Sequence, residues 1–363
     1  MMPRRRPIQR PRDARLLAVD AQGRMIDAAR SRLVDFLRPG DLVVANDAAV
    51  LPASLRGTHM ATGAEIEVRL AGRASLDPDD VRLFSAIVFG AGDYRMRTEE
   101  RPLPPPLAAG DRVALGPLSA TIDALLEHPR LVRLRFDGCP DVIWTGLARH
   151  GRPIQYAHLP AAVQLWDVWT RIAAVPVAFE PPSAGFVLDW ASIAAMRAKR
   201  IAFATITLAA GISSTGDPEL DRRLPFDEPY RISEATASAI RHAKAEGGRV
   251  VAIGTTVVRA LEHAFVRHGA MIDGDGVADQ RVGPATPLHV VDAIVSGTHE
   301  PDSSHYHLLR AFADETTLAK ANDALEALGY RTHEFGDSVL IERQQALRGR
   351  PSMFCHTNRH QAA

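Results

Sequence analysis

Four polar clusters follow apolar runs in this chain: Asn46-Asp47, Asp227-Glu228-Pro229-Tyr230, Gly254-Thr255-Thr256 with Arg259, and Ser296-Gly-Thr-His-Glu-Pro-Asp302. Their residue types suit proton transfer beside a bound anion. Asp47, Glu228, His299 and Asp302 are candidate general bases, and Tyr230 is a phenolic donor. Asn46, Gly254, Thr255, Thr256 and Arg259 are candidate contacts to a ligand, with Arg259 the cation for a carboxylate or phosphate. The spacing also offers Arg259 and Glu262, three apart, as a pair across one helix face.

The strongest of these clusters is set by its neighbours. Val250 to Ile253 reads as a strand buried on both faces, and helical spacing resumes with Val258, Leu261, Ala264 and Phe265. Gly254 allows a tight turn between them, and Thr255 or Thr256 is expected to cap the helix. Unpaired N–H groups at such a strand end suit an anion. Asn46 and Asp47 end a second buried run that begins at Asp41. Further strands are expected at Ala14 to Val19, Ile201 to Leu208, Leu288 to Val295 and Ser338 to Ile341. Helical patterns cover Arg32 to Leu37, Ser192 to Lys199, Ser233 to Glu246, Ser304 to Phe312 and Leu318 to Leu328, with Ser233 as an N-cap.

Between Leu51 and Gly151 the texture changes to short alternating runs at 65–70, 83–89, 112–115, 120–123, 131–136 and 142–144, which predict a small antiparallel barrel. The expected fold class is therefore α/β: a mainly parallel-sheet core of residues 1–55 and 152–343, an inserted barrel over 56–151, and a disordered tail over 344–363. His305 and His307, two apart on an expected helix, point to nearly opposite sides and cannot share an ion, so no metal site is expected.

Composition narrows the function further. Lys plus Arg and Asp plus Glu are equal at 43 each, which gives no general electrostatic case for nucleic acid and makes any such surface local. The first fifteen residues carry Arg4, Arg5, Arg6, Arg10, Arg12 and Arg15 against Asp13, read as a solvated basic arm. Two cysteines, Cys139 and Cys355, without CxxC spacing fit a reducing cytoplasm. An apolar run of eighteen residues is absent, so no membrane span is expected. Also absent are GxGxxG after a first strand, GxxxxGK[ST], GxSxG and HExxH, which argues against dinucleotide, P-loop, hydrolase-elbow and zincin chemistry. Oligomeric state has no signature in the sequence.

Eight ordered motifs carry a resemblance. They are Arg12 to Leu17, Pro39 to Asp47 running on to Val50-Leu-Pro-Ala53, Thr62 to Val68, Pro181-Pro-Ser-Ala-Gly185, Glu228 to Ser233, Val251 to Glu262, Val290 to Ile294, and Gly336 to Ile341. In these the chain resembles the S-adenosylmethionine:tRNA ribosyltransferase-isomerases of the queuosine pathway. The resemblance implies transfer and isomerisation of the ribosyl part of S-adenosylmethionine onto 7-aminomethyl-7-deazaguanine in the anticodon of a tRNA, leaving epoxyqueuosine and releasing adenine and methionine. S-adenosylmethionine is then a substrate, tRNA the partner, and no metal is required.

That chemistry needs a base for a C5′ proton acidified by the sulfonium, with Glu228, Asp47 or Asp302 as candidates. It also needs donors for the methionine carboxylate, here the Gly254 to Thr256 turn with Arg259. The chain departs from the family at several loops. The family's Pro-Thr-Ala-Gly-Leu-His-Phe-Thr is Pro182-Ser-Ala-Gly-Phe-Val-Leu-Asp189, and its Leu-His-Val-Gly is Leu208-Ala-Ala-Gly211. A usual arginine is Ala49, while His299 is kept. Two alternatives stand beside the family activity: a diverged enzyme that binds S-adenosylmethionine or a similar nucleoside and acts on another substrate, and a catalytically silent tRNA-binding module.

Overall fold

The structure is a computed structural model that describes residues 1–301, 303–344 and 347. Asp302 and most of the expected tail thus lie outside the described residues.

The described residues build a nine-stranded sheet in the order Gly274–Ala278, Glu228–Ile232, Ala202–Leu208, Leu42–Asn46, Val250–Ile253, Ala293–Gly297, Ser338–Glu342, Arg15–Val19, Met25–Ala29. The four strands from Ala202–Leu208 to Ala293–Gly297 run parallel, and antiparallel neighbours flank them. Leu42–Asn46 and Val250–Ile253 are buried along their whole length. Helices on both faces cover such strands, so their side chains find apolar neighbours whichever way they point.

Ser54–His59, Glu65–Gly72, Leu83–Phe89, Arg112–Leu115, Leu118–His128 and Leu131–Phe136 close into an antiparallel barrel. The first of these was not legible as a strand, because Ser-Leu-Arg-Gly-Thr-His carries little apolar signal. Its Gly57 is required by contact, since a Cβ there would lie 2.0 Å from the Ala114 carbonyl oxygen. Ser54 bridges Arg152, so the chain leaves and re-enters the core at one place.

Three expectations are corrected by the structure. Val142 to Trp144 lies in a helix, Pro140–His150. Pro at the first turn and Ile143, Gly146 and Leu147 at helical spacing outweigh a three-residue apolar run. Leu288 to Asp292 is not strand, although Leu288, Val290 and Val291 are buried. The N–H groups of His289, Val290 and Val291 instead donate to the Glu262 carboxylate at 2.7–3.0 Å. Glu262 is therefore not the partner of Arg259.

The basic arm is also largely pinned. Met2–Pro3 pairs with Arg331–Thr332, Arg4 is buried against Asp13, and Arg10 donates to the Leu188 carbonyl. Arg5, Arg6 and Arg12 remain exposed. No helix among the described residues is long and apolar enough to cross a membrane.

At the amino ends of the parallel strands, Arg249 is held by Asp41 at 2.5 Å and Glu342 at 2.6 Å, with all three side chains nearly or fully buried. Removing the cation leaves Asp41 without its guanidinium and Glu342 with Arg38 alone, at 3.1 Å. Arg249→Ala is expected to lower the unfolding free energy by about 3–5 kcal/mol, measured by urea denaturation, and a loss below about 1 kcal/mol is the result that rejects this role.

Candidate active site

A cavity of about 510 Å³ opens at the carboxyl ends of the parallel strands. Its walls come from the residues after Ala202–Leu208, after Val250–Ile253 and after Ala293–Gly297, together with the loop from Glu180 to Ala184. Glu228, Gly254, Thr255, Thr256, Arg259 and His299 all line it. Asn46, Asp47 and Tyr230 do not.

Gly254 is the hinge between strand and helix. Its φ of 101° favours glycine, and its N–H donates to the Val295 carbonyl at 2.8 Å. Gly254 itself is the N-cap, and Thr255 is already the first residue of the helix Thr255–His268. This corrects the expected threonine cap: no side-chain oxygen caps this helix. First-turn N–H groups have no partner within a helix, so those of Thr255 and Thr256 face the cavity side with the positive end of the macrodipole.

Glu228 begins a strand rather than ending a loop. That strand runs antiparallel to Ala202–Leu208, so its start lies at the same edge as the parallel strands' carboxyl ends. Glu228 and Tyr230 share one strand face, and Arg259 and His263 share one helix face, so the two pairs meet in register. Arg259 Nη1 donates to Glu228, and Tyr230 bonds His263 Nδ1 at 2.9 Å. Burial pushes the Tyr230 phenol up to about 12. Tyr230 is thus one step removed from the cavity, in the packing between strand and helix.

Arg259 is only 3% exposed and donates also to the carbonyls of Ala278 at 2.7 Å, Gln280 at 3.1 Å and Phe226 at 3.3 Å. Most of its donors are spent on the protein. The Glu228 carboxylate accepts from Arg259 and from the Gly211 N–H at 2.9 Å. Burial pushes its pKa up, against the pull of the Arg259 charge.

Asn46 and Asp47 serve the sheet. The Asn46 side chain donates to the Leu208 carbonyl at 2.9 Å and accepts from the N–H groups of Leu208 and Ala48 at 3.0 Å. Asp47 accepts from the hydroxyls of Thr205 and Thr207 at 2.7 Å each. Polar residues at a strand end are used here to lock neighbouring backbone.

His299 stacks on His305, ring centroids 4.3 Å apart at 8°. Burial holds His299 well below the usual imidazole range and lowers His305, so both rings are neutral. His307, exposed, leaves the same short helix in another direction toward Gly283. Where the family motif differs, Phe186 and Val187 are buried in apolar surroundings, with Phe186 stacked on Phe335 at 5.3 Å.

Among the cavity residues missed from the sequence, Glu180 has the chemistry of a base. Glu180 lies two residues beyond the Val175–Ala178 strand, 6% exposed, and accepts a hydrogen bond from the Tyr156 hydroxyl. Burial pushes its carboxyl up from 4.5 to about 7. An acid just past a strand end, before Pro181-Pro182, was the available signal.

Removing Arg259 leaves Glu228 buried without its cation. Arg259→Ala is expected to cost about 3–5 kcal/mol, and Arg259→Ala with Glu228→Gln to cost less than the sum of the two single changes. Chemical unfolding of the four proteins measures the coupling, and simple additivity rejects it.

The family described as "Queuosine biosynthesis protein" matches residues 2–341. An S-adenosylmethionine:tRNA ribosyltransferase-isomerase of Anaeromyxobacter sp. (strain K) is 32% identical over 343 residues, covering 92% of this chain and 94% of that protein. One from Ralstonia nicotianae is 33% identical over 344 residues, covering 92% and 89%. A solved S-adenosylmethionine tRNA ribosyltransferase from Thermotoga maritima aligns over 94% of this chain and 96% of that one, at 24% identity and a TM-score of 0.49. With its motifs in order along nearly the whole length, this chain belongs to the queuosine biosynthesis protein family.

Proposed function

We propose that this chain transfers and isomerises the ribosyl moiety of S-adenosylmethionine onto 7-aminomethyl-7-deazaguanine in tRNA, giving epoxyqueuosine-tRNA, adenine and methionine. The observation that carries this reading is one cavity with the first-turn residues of a helix on one wall and buried carboxyl groups on others. The first-turn N–H groups of Thr255 and Thr256 suit the methionine carboxylate. Glu180, once ionised, complements the sulfonium by charge. Arg222 and Arg281, exposed residues that line the cavity, suit tRNA phosphates.

The base is best assigned to Glu180. Glu228 has both oxygens engaged by Arg259 and Gly211, and Asp47 is turned to Thr205 and Thr207. Glu180 has a carboxyl near neutrality, where a base combines availability with proton affinity. Tyr156 orients it through the shared hydrogen bond. Arg259 then positions Glu228 rather than gripping substrate. His299, neutral, can donate one hydrogen bond to the departing adenine.

Protein mixed with S-adenosylmethionine and tRNA bearing the deazaguanine base is expected to release adenine. Folded protein that yields none above background sinks the assignment, and tRNA retained without S-adenosylmethionine affinity leaves the binding-module reading.

The pH dependence follows from Glu180. The ionised form is the active one, so the rate rises with pH through about 7. Glu180→Gln is expected to reduce kcat by about 10²–10⁴-fold and to abolish that limb of the profile. Stability runs the other way: the folded carboxyl binds its proton more tightly than the unfolded one. Its contribution is complete below 4.5 and is lost as pH rises through about 7. A Gln variant whose unfolding midpoint is less pH-dependent over that window agrees, and an unchanged rate profile removes Glu180 as base.

A further inference from the structure

Beside the cavity stands a second group of polar side chains, to which the reaction described above assigns no step. His158 comes from the segment that follows the barrel, and His333 and Glu334 from the turn before the strand Ser338–Glu342. His158 and Glu334 are 176 residues apart in sequence, yet His158 Nε2 and Glu334 Oε2 stand 2.9 Å apart. The His333 ring lies parallel to that of His158, centroids 4.4 Å apart at 16°.

We propose that His158, His333 and Glu334 form a binding site for one divalent transition-metal ion of the zinc class. One ligand atom from each residue lies within 4.8 Å of the other two. A tetrahedral ion with bonds of 2.0–2.1 Å spaces its ligands about 3.3 Å apart, so closing the set requires the His333 ring to turn out of its stack on His158 until its in-plane lone pair meets the same point. Two imidazoles and one carboxylate suit zinc and leave the fourth position to water, whereas magnesium and calcium prefer oxygen alone.

Two further observations separate this from a plain His–Glu hydrogen bond. That pair needs no second imidazole, but His333 is brought face to face with it by a backbone φ of 68°, in the left-handed region that non-glycine residues rarely adopt. The conformation breaks the usual alternation of successive side chains and lets His333 and Glu334 serve the same point. Backbone strain of this kind gathers at ligand-holding sites. Glu300 also stands 3.8 Å from His333 Nε2, where an outer carboxylate orients a metal-bound imidazole.

The test uses the full chain, stripped with chelator and free of S-adenosylmethionine and tRNA, so it is independent of ribosyl transfer. Calorimetric titration with zinc chloride is expected to show one equivalent bound per chain. Cobalt(II) at the same site should give the visible bands of a four-coordinate ion, and magnesium should not compete. His158→Ala, Glu334→Gln and His333→Asn are each expected to weaken zinc by at least about tenfold. Asparagine is chosen because it tolerates the left-handed backbone. Should a variant fail to fold, X-ray absorption of the zinc-loaded wild type decides alone, by scattering from two imidazoles. Absence of stoichiometric binding, binding undiminished in the folded variants, or a spectrum without imidazole scattering each overturns the proposal.

Discussion

A carboxylate and a guanidinium, Glu228 and Arg259, are buried together beside the cavity, each 2–3% exposed. Neither can be hydrated, so each requires the other, and the surrounding carbonyls of Phe226, Ala278 and Gln280 complete the arginine's demands. This pair fastens the strand Glu228–Ile232 to the helix Thr255–His268. That helix in turn carries the first-turn N–H groups toward the cavity. An error in this pair is transmitted to the wall that carries those N–H groups, because the pair joins strand to helix.

The rest of the cavity follows the physics of parallel strands. Their carboxyl ends collect at one edge, and each strand is followed by a turn whose backbone groups lack ladder partners. Some of those positions are consumed by the scaffold: Asn46 and Asp47 bind neighbouring strands and leave nothing for a ligand. Others stay available, as in the first helical turn after Gly254. The distinction is one of partners, since a polar side chain beside free backbone groups satisfies them before any substrate arrives.

Burial sets the chemistry of what remains. Glu180 is held near neutrality and His299 is kept uncharged by the same loss of hydration, with no strong opposite charge to restore the ionised form.

Local sequence determined much of the architecture. The buried run Val250 to Ile253, the glycine after it, the Ser233 cap and the alternating barrel strands are legible because burial on two faces, positive φ and side-chain capping each leave a mark within a few residues. Only the tertiary structure decided which polar residues face the cavity. Glu262 turned to the backbone of 289–291, Arg259 to Glu228, and Tyr230 to His263, all partners far away in the chain. Glu180 and the His158, His333 and Glu334 group went unread for the same reason: a hydrogen-bond partner or a shared ion is a fact of three-dimensional distance, whereas sequence spacing constrains only neighbours along one element.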